Sequence, residues 1–245
     1  MKKYNLFLFF GIVFFSLCAQ ARLPQNSYKK NKNTPKIQKI LPSSRTLPYE
    51  NYDTCSVYKE PIEVELLIDL GKPVYINTLS GREFPSMPYS TTMGLTTARL
   101  KTEIQASNFV QQINSSTVCL GLKKLKITLS FPEINVYIDK KYRPGTCQYR
   151  VIREHENYHV RVHQEGLKFF AKKIKEGFTV AANKILPIQL SDPQEGKTAF
   201  ESMIQTIQND VSPLLNYVEK RMEEENLVID TKTSYENEAK KCPSW

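Results

Sequence analysis

The chain has 245 residues, 40% of them hydrophobic and 24% charged, with a formal net charge of +9. That composition excludes a disordered or collagen-like polymer and is enough for one domain with a sizeable core. The charge is unevenly placed. Lys2 and Lys3 open the chain, and Arg22, Lys29, Lys30, Lys32, Lys36, Lys39 and Arg45 fall in an acid-free stretch over 22–48, which leaves residues 49–245 balanced. A balanced domain gives no reason to expect a nucleic-acid groove.

The N-terminus reads as an export leader over 1–21: a basic start, an apolar run from Phe7 to Leu17 and the small-x-small pattern Ala19-Gln20-Ala21. The run is short for a membrane span. Residues 22–48, rich in Pro, Asn, Ser and lysine, read as a flexible basic linker that is able to rest on anionic envelope components. The expected location is therefore outside the cytoplasm, periplasmic or extracellular. Without Cys18 four cysteines remain, Cys55, Cys119, Cys147 and Cys242. An even number in an exported chain implies two disulfides. Of the three pairings, a 119–147 bridge closing a hairpin is the preferred one, with 55–242 tying the ends of the domain together.

Ile62–Asp69 reads as a strand or short helix, Pro73–Asn77 as a strand, residues 80–90 as loop and Thr91–Leu100 as a further strand. Leu122–Phe131 and Ile134–Asp139 alternate polar and apolar residues around Pro132-Glu133, and predict a hairpin. After Arg143-Pro144-Gly145 the apolar period becomes 3.6. Ile152, His155, His159, Gly166, Phe170 and Ile174 share one face of a helix from Cys147 to Ile174 or beyond, with Gly177 and Pro187 marking its end. A second long helix from about Thr198 carries an apolar stripe from Phe200 to Met222, and Pro213 is expected to kink or restart it. A short helical piece lies near Ser234–Lys241. Strands first and helices afterwards define an α+β domain over 49–245, expected to be a monomer.

All three histidines lie between 155 and 163. His155-Glu156-Asn157-Tyr158-His159 puts two imidazoles on one helix face, one turn apart, where both reach one tetrahedral zinc. Glu156, beside them, is placed to take a proton from a water the metal activates. His163 is eight residues from His155, about 12 Å along a helix, too far to share the same ion. A supporting or core role suits it better. The third ligand must come from elsewhere, with Glu201, Glu219, Glu236 and Glu238 as candidates.

The pattern Cys147-x-Tyr149-x-x-Ile152-x-x-His155-Glu156-x-x-His159 resembles the zincin metallopeptidases, and is most similar to a family of secreted bacterial zinc-dependent proteases. That resemblance implies a segment Asp-x-x-Thr-x-His-Gly beyond the second long helix that completes the zinc site. Here Asp230 and Thr233 match, but Tyr235 stands where the histidine would be. Glu236, next along, is the conservative replacement as third ligand. Tyr235 ranks behind it as a ligand, or donates its hydroxyl to a developing oxyanion. The function implied is hydrolysis of a protein or peptide substrate by a zinc-activated water with Glu156 as base. The runner-up is a non-catalytic zinc- or partner-binding envelope module with a degenerate site, motivated by Tyr235.

Overall fold

The computed structural model describes residues 11–15, 53–85 and 92–245. The expected leader and basic linker lie outside these residues, apart from a strand β1 (Gly11–Phe15). The remaining elements are α1 (Asp53–Ser56), β2 (Glu63–Asp69), β3 (Pro73–Ile76), β4 (Gly94–Ala98), β5 (Lys101–Gln112), β6 (Val118–Ser130), β7 (Ile134–Ile138), α2 (Cys147–Lys184), β8 (Ile188–Leu190), α3 (Gly196–Ile229) and α4 (Lys232–Ala239). The class is α+β, with most strands preceding the long helices, as the pattern of periods implied.

Two sheets form. The larger has the order β1-β5-β6-β2, with β8 on the β2 side of β6 near the start of that strand; the smaller has the order β3-β7-β4. The chain passes from the larger sheet to the smaller one twice. It does so at Gly71, whose φ of 64° suits glycine and where a Cβ would strike the Phe131 carbonyl. It does so again at Phe131-Pro132. Both crossings run the same way, so β2 lies parallel to β6 and β3 parallel to β7.

This corrects the expected hairpin of Leu122–Phe131 with Ile134–Asp139. Pro132 moves the chain into another sheet instead of reversing it, so β6 and β7 are not partners. The hairpin is β5–β6, pairing Gln112 with Val118 at its closed end. A bulge at Lys123 shifts the register there. It flips the phase of burial from Leu120 and Leu122 to Leu125, Ile127 and Leu129, all buried.

Helix α2 starts at a capping Thr146, whose hydroxyl accepts from the Tyr149 amide at 3.2 Å. It runs 38 residues, through Gly177, so that glycine does not end it. A Cβ at Gly177 would lie 2.6 Å from Leu214 on α3, so the glycine serves close helix packing. Helix α3 likewise continues through Pro213 over 34 residues. Contacts pair Lys184 with Asp210, Gly177 with Leu214, Gly166 with Met222 and His159 with Asn226, in reverse order along the two helices. The helices are therefore antiparallel, and the end of α3 returns to the first turns of α2. Leu167, Ile174, Ile207 and Val218 fill the space between them and the sheets, each fully buried.

The disulfides are Cys55–Cys119 and Cys147–Cys242, correcting the expected pairing. The antiparallel return of α3 is the reason: it delivers the C-terminal segment to the start of α2, beside Cys147. Two disulfides fit an oxidising compartment outside the cytoplasm. Among the described residues, no helix is long and apolar enough to cross a membrane.

Candidate metal centre

Two turns of α2 supply the core of the site. His155, Glu156 and His159 are all buried, a placement that charged and polar groups tolerate only with partners. The motif face of α2 packs on β4, and the following turns on α3. Asp230, the residue just past α3, leaves the helix at φ −83°, ψ 55° and turns its carboxylate back to the histidines.

His155 Nε2 lies 3.0 Å from Asp230 Oδ1 and 3.2 Å from His159 Nε2, and His159 Nε2 lies 3.2 Å from the same Asp230 oxygen. The three atoms thus form a near-equilateral triangle. A tetrahedral zinc with bonds of about 2.0–2.1 Å has ligand–ligand edges of about 3.3 Å, so the triangle has the size of one face of that tetrahedron.

The donor chemistry fits as well. Glu238 Oε1 sits 2.9 Å from His155 Nδ1, and Asn226 Oδ1 sits 3.0 Å from His159 Nδ1. A carboxylate and an amide oxygen only accept, so in its neutral form each imidazole donates from Nδ1 and turns an Nε2 lone pair to the centre. Two lone pairs and a carboxylate oxygen then converge, an arrangement that calls for a cation. Among the described residues, His155, His159 and Asp230 are the group that offers three such atoms within 4.8 Å of one another.

Electrostatics carry the same message. Burial opposes a charged His155, but the Asp230 and Glu238 carboxylates outweigh it and raise its pKa to about 9. His159 is also raised: burial is outweighed by Asp230 and Asn226. Asp230 is held well below the usual carboxylate range; burial opposes this, but hydrogen bonds from both histidines and Tyr235 prevail. Without a metal, the site takes up protons as its cation.

Glu156 occupies a different environment. Burial raises its pKa, against the hydrogen bond that Thr96 Oγ1 donates to its Oε2 at 2.8 Å and the nearby histidines. Gly94 on β4 lies against it. A Cβ there would collide with Glu156 Oε1 and come within 2.7 Å of Ile152 Cγ2. Glycine at 94 is thus the space in which the carboxylate sits. His155, Glu156, Met93, Gly94, Ile152, Tyr235, Glu238 and Trp245 line an open cleft of about 250 Å³.

The other expected site residues are dispersed. Glu236 does not join the histidines: it is exposed and pairs with Lys232 at 3.7 Å. Tyr235 is at the site, its ring 5.1 Å from that of His155 and its hydroxyl donating to Asp230 Oδ1 at 2.6 Å. Glu201 lies with Lys197, and Glu219 lines a separate cavity beside Phe178. His163 stays off the centre, as the helix spacing required, with Nε2 facing Asn226 and its ring against Phe131. Burial and His159 lower its pKa to about 4, so it is neutral.

Asn226, Gly94 and Thr96 went unread in the sequence. Asp230 was visible as a match to the Asp-x-x-Thr pattern, though not as the partner of the two histidines. Scans against family models and searches of curated proteins and of solved structures return no match to this chain.

Proposed function

We propose that this chain is an exported zinc-dependent metallohydrolase acting on protein or peptide substrates, in the periplasm or outside the cell. The observation that carries the reading is the convergence of His155 Nε2, His159 Nε2 and Asp230 Oδ1 beside a buried Glu156. His155, His159 and Asp230 would hold the zinc, with Asp230 replacing Glu236 in that role. When bound, zinc supplies Lewis acidity that polarises a carbonyl and brings the acidity of water towards neutral.

Glu156 then does the proton work. Its raised pKa suits a base that takes a proton from the attacking water and delivers it to the leaving amine. Thr96 and Gly94 fix the carboxylate in place, and Glu238 holds the His155 imidazole in the Nδ1–H form. Tyr235 orients Asp230 through its hydroxyl and stands at the cleft, where its single O–H would serve a developing oxyanion only by leaving Asp230. An extended substrate needs a free strand edge, and β7 offers none because it is paired on both sides. The role passes to β4, the terminal strand of the smaller sheet, whose start lines the cleft.

A tyrosine at 235 was the reason to consider a degenerate, non-catalytic module; with Asp230 available as ligand that reason loses its force. The test is Glu156→Gln in the full-length oxidised chain, assayed on a broad peptide library. The variant keeps its zinc and loses about a hundred- to ten-thousand-fold in hydrolysis. Hydrolysis at the unmutated rate would remove Glu156 from the mechanism.

A further inference from the structure

One side chain near the centre reaches two histidines at once, and its geometry is demanding. Asn226 projects from α3 between two imidazoles on successive turns of α2. Its Oδ1 lies 3.0 Å from His159 Nδ1, and its Nδ2 lies 3.2 Å from His163 Nε2. We propose that Asn226 is a positioning residue that sets which nitrogen of His159 carries the proton, and that half-buried His163 anchors it. The proposal rests on the metal-centre reading above, and adds to it the device that keeps His159 ready for a metal.

An amide has unlike ends, so the chain of hydrogen bonds has a direction. With Oδ1 towards His159, that imidazole donates from Nδ1 and leaves an Nε2 lone pair facing Asp230 and His155. With the amide reversed, Nδ2–H would donate to His159 Nδ1. The proton would then sit on His159 Nε2, in the space a metal needs. The orientation of one amide thus separates a form competent for metal from one that is not.

His163 selects the competent form. Its Nε2 accepts from Asn226 Nδ2–H, which places its own proton on Nδ1. That atom is a buried polar side-chain atom without a hydrogen-bond partner. An unpartnered buried polar group is destabilising, and an apolar side chain against Phe131 would avoid it. Histidine at 163 has a physical rationale if its Nε2 is needed to hold the Asn226 amide. The partners that orient a metal-ligating histidine typically contribute about ten- to a hundredfold to metal affinity.

The experiment uses the full-length oxidised chain with Asn226→Leu, Asn226→Asp and His163→Phe. Zinc affinity is read by competition with a chromophoric chelator. The His159 tautomer is read separately by imidazole ¹⁵N NMR of metal-free protein, at a pH where the rings are neutral. Asn226→Leu should weaken zinc about ten- to a hundredfold and lower the Nδ1–H population of His159. Asn226→Asp, whose carboxylate only accepts, should keep both properties close to those of the unmutated chain. His163→Phe should weaken zinc less than Asn226→Leu, without loss of thermal stability.

Unchanged zinc affinity and tautomer in Asn226→Leu would overturn the proposal. If that variant fails to fold, loss of the Nδ1–H form in Asn226→Asp would overturn it instead. If the unmutated chain binds no zinc, the metal-centre reading fails. The NMR arm still decides the hydrogen-bond relay, which stands if Asn226→Leu shifts the tautomer and falls if it does not.

Discussion

Replacing Cys147 and Cys242 together by serine should loosen the metal centre while leaving the domain folded. The segment from Asp230 to Trp245 carries one proposed ligand, Asp230, and the residues that hold it or His155, Tyr235 and Glu238. It is otherwise lightly attached. Helix α4 has no buried residue, and contacts of the tail with the rest of the domain include Trp245 against Tyr142 and the bond from Gln148 Nε2 to the Ser244 carbonyl. Cys242 is its buried anchor. With α3 packed in place, about a dozen residues separate Ile229 from the bridge. Closing a loop of that length stabilises the docked segment by about 3 kcal/mol. Its loss would raise the population of the undocked segment by about two orders of magnitude. The expected result is zinc binding up to about a hundredfold weaker, with far-UV circular dichroism unchanged. Amide hydrogen exchange should rise over 230–245 and stay low in the core of α2 and α3. Unchanged zinc affinity together with unchanged exchange over 230–245 would refute the idea that the disulfide holds the ligand in place.

At the proposed metal centre protons and zinc should compete. His155 is raised from 6.5 to about 9 without metal, so zinc affinity should climb between those pH values, with proton release detectable by calorimetry in buffers of different ionisation enthalpy. In the metal-free protein the sign reverses. The stability contributed by charged His155 is complete below about pH 6.5 and is lost as pH rises through 9, so the Tm in chelator should fall across that window; a flat Tm would contradict it. Gly94→Ala should displace the Glu156 carboxylate and lower peptide turnover at least about tenfold with zinc retained. Undiminished turnover would show that the carboxylate has room to move.

The motif helix was legible because its chemistry and its period coincide: His155 and His159 recur at helical spacing among apolar residues, and they are buried there. The two long helices were legible for the same reason, although Gly177 and Pro213 suggested breaks that helix–helix packing overrides. What sequence could not supply was the return path. The disulfide partners and Asp230 depend on α3 running back along α2 to its first turns, a tertiary outcome of two amphipathic stripes. Glu236 lies off the cluster for a local reason. Tyr235 and Glu238, three apart, share the α4 face turned to His155, and Glu236 stands about 100° away, towards solvent. The strand pairing failed at Pro132, where alternation continues on both sides but the chain changes sheet.

The central claim is most directly tested by zinc stoichiometry, measured by native mass spectrometry on the oxidised full-length chain beside His159→Ala, Asp230→Ala and Glu236→Gln. The account predicts about one zinc per chain in the unmutated protein and in Glu236→Gln, and loss of tight zinc in His159→Ala and Asp230→Ala. A protein that takes up no zinc after incubation with the metal, or one that keeps it unchanged without Asp230, would contradict the account.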